Sequence, residues 1–160
     1  MKTFAEIERD FVREKVLPDF GFEWFDQPSR VNLLRVPVRQ ATVALVATAG
    51  AYVKSEQTAF ALGKQGDASF REILGDRTLG ELGLSHPGYD TKRALHDHNV
   101  VFPLDRLREL KQAGEIGDIA RRHFSFMGFS PDVPLLMENA REVARRLVAD
   151  RIDLVLLVPA

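Results

Sequence analysis

The 160-residue sequence contains no cysteine, and this absence excludes several kinds of chemistry from these residues. Without a thiol there is no disulfide, no thiolate zinc site and no cysteine nucleophile. Histidine, aspartate and arginine side chains can still bind, orient or transfer protons.

The sequence also lacks long apolar runs and an excess of charge of one sign. No run reaches the roughly eighteen apolar residues of a membrane-spanning helix, and the N-terminus becomes amphipathic at once instead of opening a signal peptide. The 22 Lys and Arg residues and 23 Asp and Glu residues are scattered, with a net charge of -1. This balance argues against nucleic-acid and membrane partners and favours a cytoplasmic location.

Apolar periodicity predicts a helix over Phe4–Lys15, which begins at the capping-box pair Thr3 and Glu6. An aromatic cluster follows, and it is more typical of a core plug than of a substrate cage. Its members are Phe20, Phe22, Trp24 and Phe25.

Branched apolar runs predict buried parallel strands over Thr42–Ala47 and Ile152–Val158. Helices are predicted over 103–114 and 134–150, and a strand lies within 121–129. This order predicts an α/β fold with an open, mostly parallel sheet flanked by helices in Rossmann-like layers. We expect one domain over residues 1–160, with the helical and aromatic segment 1–36 packed on it.

Ligands of open α/β sheets bind beyond the carboxyl ends of the strands, which makes Thr48 and Gly50 candidates for substrate binding. Met127 and Gly128 occupy the turn between the next strand and helix, where backbone amides could receive an anion. Neither a G-x-G-x-x-G nor a Walker pattern occurs near Gly50, so this is no phosphate loop. Alternatively, the residues after the first strand form a tight turn that binds no ligand.

Histidines mark two further positions. His86 and Asp90 lie in a polar loop and are candidates for substrate contact or proton transfer, although a hydrogen-bonded turn would explain the same residues. His96 and His98 have a spacing that a metal could use. No third ligand is fixed by spacing, so we expect no metal and read these two residues as surface or hydrogen-bonding histidines.

Several stretches occurring in one order resemble the selenoprotein B family of glycine, sarcosine, betaine and D-proline reductases. The resemblance runs from about Pro37 to Ala160. Its stretches are Val43–Val46 with Thr48–Gly50, Gly66–Asp67 with Ser69–Arg71, His86–Asp90, Asn99–Leu107 and His123–Gly128.

The resemblance implies a substrate-specific subunit of a dithiol-dependent reductase that cleaves a bond at the α-carbon of a small amine. It also implies a selenocysteine or cysteine just after the strand that ends at Val158, and a pyruvoyl group on a partner subunit. The sequence stops at Ala160. Because UGA encodes selenocysteine, we expect a longer protein cut at that codon, with other reductase subunits or further copies of itself as partners.

Two alternatives remain open. The chain could be a non-catalytic module of the same fold that binds a small molecule or assembles a complex. Alternatively, the chain could be a hydrolase or metal enzyme that uses His96 and His98 with a nearby carboxylate.

Overall fold

The computed structural model describes residues 2–15, 18–19 and 32–160. The chain divides into two units, Met1–Val31 and Asn32–Ala160. The first contains helix α1, Phe4–Lys15, as predicted. Its capping box is present, because the Thr3 N–H donates to the Glu6 carboxylate at 2.7 Å and the Glu6 N–H donates to the Thr3 hydroxyl at 3.3 Å.

The aromatic cluster predicted at Phe20, Phe22, Trp24 and Phe25 lies outside the described residues. That segment 1–36 packs on a single α/β domain stays a prediction.

The second unit contains seven strands and three α-helices. In chain order they are β1 (Thr42–Ala47), β2 (Ala51–Val53), β3 (Phe70–Leu74), β4 (Leu82–Leu84), α2 (Thr91–Ala94), α3 (Leu104–Gln112), β5 (Asp118–Ile119), β6 (Arg122–Phe126), α4 (Val133–Ala149) and β7 (Leu154–Val158). Short 3-10 turns lie at Val38–Gln40, Leu79–Glu81 and His98–Val100.

Strand β1 occupies the centre of a five-stranded sheet. β7 pairs with it in parallel from Val43 to Ala47, so β5 and β6, also parallel to β1, share its other edge. β3 pairs antiparallel with β6, and β2 and β4 form a separate antiparallel pair. The α/β class is confirmed, but the sheet is mixed, because β3 runs antiparallel to β6. Rossmann-like layering stays a prediction.

Alternate residues of β1 face two cores, one on each side of the sheet. Val43 and Leu45 pack in a core that includes Leu104 and Leu107 of α3. Ala44 faces a second core, which includes Val143 and Leu147 of α4 and two phenylalanines of β6, Phe124 and Phe126. The two helices therefore cover opposite faces of β1.

The predicted burial of the last strand is wrong. β7 is an edge strand that pairs with β1 alone among the described strands, and Leu157 is 69% exposed. Leu154 and Leu156 on the other face are 36% and 42% exposed. Its apolar composition is typical of a buried parallel strand, but burial depends on a neighbour on each side.

Of the helices that the structure describes, none has the length and apolar character that a membrane crossing requires.

Candidate functional site

The carboxyl ends of β1, β6 and β7 meet at one edge of the sheet. The Thr48 N–H donates to the carbonyl of Val158 at 3.0 Å, and the Gly50 N–H donates to the carbonyl of Phe126 at 2.8 Å. We call this place the carboxyl edge: residues Thr48–Gly50, Met127–Gly128 and Pro159–Ala160. It is the position where α/β proteins bind their ligands.

Thr48 ties the chain that follows β7 to this edge. Its hydroxyl oxygen accepts a hydrogen bond from the Ala160 N–H at 2.9 Å. Together with the bond from the Thr48 N–H to Val158, this contact directs the backbone after β7 across the exit of β1. The sequence identified Thr48 as the exit of a strand, but it did not predict this contact.

Gly50 brings the loop that contains His86 to the edge. Its φ is +65°, and a Cβ added there would lie 2.0 Å from the Ser85 carbonyl oxygen. The Ser85 N–H donates to the Gly50 carbonyl at 2.9 Å. Only glycine fits both the left-handed conformation and this close approach.

Gly128 lies directly against the imidazole of His86. Its φ is +87°, and a Cβ there would lie 2.7 Å from His86 Nε2 and 2.8 Å from the Thr48 carbonyl oxygen. The neighbouring Met127 is fully buried. Thr48, Gly50, His86 and Gly128 are therefore neighbours, and Met127 adjoins them through the backbone.

The ring of His86 is held on two sides. Its Nδ1 accepts a hydrogen bond from the Gly88 N–H at 2.8 Å, and the ring packs against Tyr89 with centroids 4.5 Å apart and the planes tilted by 35°. Nε2 is buried and has no hydrogen-bond partner among the described residues. Burial also lowers the pKa of His86 below its ordinary value of 6.5, because the charged form loses solvation.

Tyr89 is a site residue that sequence reasoning missed. Its hydroxyl donates to the Ala49 carbonyl at 2.7 Å, which anchors the ring that supports His86. Burial raises the pKa of Tyr89 to about 12, so the phenol stays neutral near pH 7. The sequence signal that could have identified Tyr89 is its place three positions after His86 in a turn.

Asp90 lies in the same loop but has a structural partner. Its exposed carboxylate accepts a hydrogen bond from the Lys92 N–H at 3.0 Å and caps the start of α2. A role for Asp90 in substrate contact stays a prediction.

The two histidines with metal-like spacing differ in environment. His98 is buried, with Nε2 3.1 Å from the Leu82 carbonyl oxygen, whereas His96 is exposed. Both lie in turns rather than in one extended strand. Among the described residues, no group of three or more His, Asp or Glu side chains is placed to hold a metal.

A cleft of about 650 Å³ lies at the amino end of β6, away from the carboxyl edge. Its walls include Gly75, Ala120 and three cations, Arg108, Lys111 and Arg121. Arg108 donates to the carbonyl of Gly75, and Lys111 pairs with Asp118 at 2.6 Å. These partners satisfy two of the three cations. We place the candidate site at the carboxyl edge, because the ends of three parallel strands meet there.

The carboxyl edge can bind and orient a small molecule through a histidine nitrogen, a threonine hydroxyl and backbone groups. The 160 residues contain no thiol, so no sulfur nucleophile comes from them. The fold defines an α/β protein in which the carboxyl ends of three parallel strands meet at one edge.

The family model for glycine/sarcosine/betaine reductase selenoprotein B matches residues 34–160. The chain therefore belongs to the selenoprotein B family of these reductases, as the sequence stretches predicted.

Curated relatives carry reductase names. The chain is 38% identical over 121 residues to D-proline reductase subunit gamma of Acetoanaerobium sticklandii, a match that covers 75% of the chain and 49% of the relative. It is 28% identical over 124 residues to glycine reductase complex component B subunit gamma of Carboxydothermus hydrogenoformans, covering 74% and 28%. A sarcosine reductase complex component B subunit beta of Peptoclostridium acidaminophilum is 32% identical over 72 residues, covering 45% and 16%.

The chain thus spans half or less of the length of these relatives. No solved structure matches it.

Proposed function

We propose that this chain is the front part of the substrate-specific subunit of a selenol- or thiol-dependent reductase. The proposed reaction cleaves a carbon–nitrogen bond of a small amine such as D-proline, glycine, sarcosine or betaine. One observation carries the proposal: the hydrogen bond from the Ala160 N–H to Thr48 holds Ala160, which the proposed selenocysteine or cysteine would follow, at the edge occupied by His86 and Gly128.

The reaction requires two electrons and two protons. The carbon–nitrogen bond breaks, the carbon and the nitrogen each gain a hydrogen, and a pair of thiols, or a selenol and a thiol, is oxidised to the bridged form. The attacking group must be ionised near neutral pH, which favours selenium or a thiol of low pKa. We place that group in the residues after Ala160, where the family resemblance implies a selenocysteine or cysteine.

The chain's own residues have a binding role in this proposal. Thr48 holds the backbone after β7, Gly50 holds the loop of His86, and His86 presents an unpaired ring nitrogen. Such an unpaired donor fits a ligand with an acceptor oxygen. The pyruvoyl group that the family implies belongs to a partner subunit, and we assign no step to it.

D-proline is the substrate to test first, because the relative at 38% identity is named for D-proline reductase. The relatives' names describe subunits and complex components, so we also propose other reductase subunits as partners. The cytoplasmic location expected from the sequence is part of the same proposal.

The test is to translate the natural reading frame past Ala160, with selenocysteine or cysteine at the next such codon, and to purify the product with its partner subunits. We expect loss of D-proline that depends on an added dithiol, and no loss with the chain stopped at Ala160. Glycine, sarcosine and betaine are assayed in parallel to rank the substrates. A frame without selenocysteine or cysteine near Ala160, or a continued chain that consumes none of the four compounds, would contradict the proposal.

A non-catalytic assembly module is the second candidate, and the exposed leucines of β7 favour it. A continued chain that binds the other subunits but lacks a chalcogen residue would support this candidate.

A further inference from the structure

The hydrogen bonds around His86 determine which ring nitrogen carries the proton. The Gly88 N–H donates to Nδ1 at 2.8 Å, so the Nδ1 lone pair is in use. A neutral imidazole has one N–H, and here it must therefore lie on Nε2. His86 presents a donor to the carboxyl edge.

This arrangement opposes protonation of the ring. The imidazolium form would place a second N–H on Nδ1, pointing at the N–H of Gly88. Since both nitrogens of the neutral ring are committed, neither can accept a proton while the Gly88 contact lasts. The geometry thus separates the two roles predicted for His86: it fits substrate contact and does not fit a general base.

The donor on Nε2 is buried, and no described residue supplies an acceptor for it. A buried donor without an acceptor is unfavourable, so a ligand that supplies an acceptor gains binding free energy. Thr48, Gly50, Tyr89 and Gly128 lie close to His86, and none of them carries a carboxylate. Asp90, the nearest acid along the chain, is engaged with the start of α2.

The chemistry of a small amino acid selects which of its groups can meet this donor. A protonated or quaternary amine offers no lone pair, whereas a carboxylate offers only acceptors, and its hydrogen bonds are strengthened by charge. A Cβ at Gly128 would lie 2.7 Å from Nε2, so any side chain at this position would clash with the ring.

We propose that the Nε2–H of His86 donates to the carboxylate of the substrate, and that Tyr89 is the positioning residue that keeps the ring in place. This inference rests on the proposed function and names the substrate group to which His86 donates a hydrogen bond. Tyr89 acts through its stacking on the ring and through its hydrogen bond to Ala49.

The first measurement uses nitrogen-15 NMR of the chain labelled in its histidine rings. We expect the Nε2–H form of His86 at pH 7 and a shift of its resonances on addition of D-proline. Pyrrolidine has the same ring without the carboxylate and should leave the resonances in place. A matched control is His96→Phe, which removes an exposed imidazole and should change neither result.

The second measurement compares ligand affinity in variants at His86. His86→Phe keeps the ring that stacks on Tyr89 and removes the donor, and we expect it to weaken D-proline binding roughly 10- to 100-fold. His86→Gln keeps an N–H donor near the position of Nε2 and should restore most of the affinity. Tyr89→Phe should allow the Nδ1–H form to appear in the spectrum, a change that loss of stability alone would not produce.

An Nδ1–H form in the wild-type chain, or equal D-proline affinity in wild type and His86→Phe, would overturn the inference. So would resonances that none of D-proline, glycine, sarcosine and betaine moves. If glycine or betaine moves them and D-proline does not, the inference stands and the substrate is reassigned. If carboxylates bind through His86 but the continued chain reduces none of them, the proposed function fails while the contact is upheld.

Discussion

Two histidines of this chain have the same hydrogen-bonding pattern in different places. His123, in β6, is fully buried and accepts a hydrogen bond from the Leu45 N–H at its Nδ1 at 2.9 Å, while no residue that the structure describes pairs with its Nε2. Its side chain satisfies a β1 amide next to the break between β5 and β6, and its ring meets Phe102 edge to face. Unlike His86, it lies inside the core, so its effect is on stability.

The first prediction concerns the pH dependence of stability. Burial, with the Arg108 charge as the smaller cause, lowers the pKa of His123 from 6.5 to about 4 in the folded chain. The unfolded chain therefore binds a proton in this range that the folded chain does not, and stability falls as the pH drops below 6.5. Between pH 6.5 and pH 5 this one group should remove roughly 2 kcal/mol from the free energy of unfolding.

Urea unfolding of the wild type and of His123→Gln at pH 7, 6 and 5 measures this loss. The variant should show a smaller loss over the same range, and His96→Gln should behave like the wild type. Equal slopes for wild type and His123→Gln would rule out this role for His123.

The second prediction concerns Gly50. Alanine at this position adopts a left-handed φ, which costs about 1 to 2 kcal/mol, and its Cβ must also displace the Ser85 carbonyl. We expect Gly50→Ala to lower the free energy of unfolding by more than 2 kcal/mol. Gly80→Ala is the matched control, because a Cβ there meets nothing within 4 Å, and comparable losses in both variants would contradict this account.

At the scale of elements, one charged side chain of α3 contacts backbone groups outside the helix. Arg106 pairs with Glu109 at the surface, but Arg108 reaches the loop after β3 and donates to the carbonyls of Gly75 and Arg77 at 2.9 and 2.6 Å. The helical period alone does not distinguish these two arginines, because the contacts of Arg108 are to backbone acceptors far along the sequence.

The third prediction compares these two arginines. Arg108→Ala leaves two carbonyls without their charged donor and should lower the free energy of unfolding by roughly 1 to 3 kcal/mol. Arg106→Ala removes only an exposed ion pair and should change it by less than about 0.5 kcal/mol. Chemical unfolding of both variants at one pH decides the matter, and similar losses would count against the contacts of Arg108.

Local pattern accounts for the elements that sequence analysis predicted well. The capping box with its helical period predicted α1, and a short branched apolar run predicted β1 with the observed bounds. The antiparallel pairing of β3 and the exposure of β7 depend on which strands become neighbours across long loops, and no local pattern encodes that.

In the candidate site, too, the sequence predicted some residues but not the contacts between them. The rule that ligands bind beyond strand ends selected Thr48, Gly50 and Gly128 without knowledge of strand order. The approach of His86 depends on the hydrogen bond between Gly50 and Ser85, and the part played by Tyr89 depends on stacking, so neither contact follows from spacing. That these residues bind a substrate stays a prediction.

At the scale of the whole molecule, the exposed leucines of β7 leave an edge that another strand could pair with. The fourth prediction is that the 160-residue chain self-associates at micromolar concentration through this edge, and that Leu157→Lys shifts it toward monomer. Val100→Lys changes a residue that is 66% exposed elsewhere and should have no such effect. Sedimentation velocity measures the distribution of species, and a wild-type chain that is monomeric under these conditions would contradict the prediction.

We propose that a chalcogen nucleophile located after Ala160 completes the carboxyl edge. Peptide mapping of the natural protein, alkylated after reduction and cleaved after arginine and lysine, tests it directly, because cleavage after Arg151 releases a peptide that begins at Ile152. We predict that this peptide continues beyond Ala160 and carries an alkylated selenocysteine or cysteine within the next few residues. A natural peptide that ends at Ala160, or one that continues without either residue, would contradict the account.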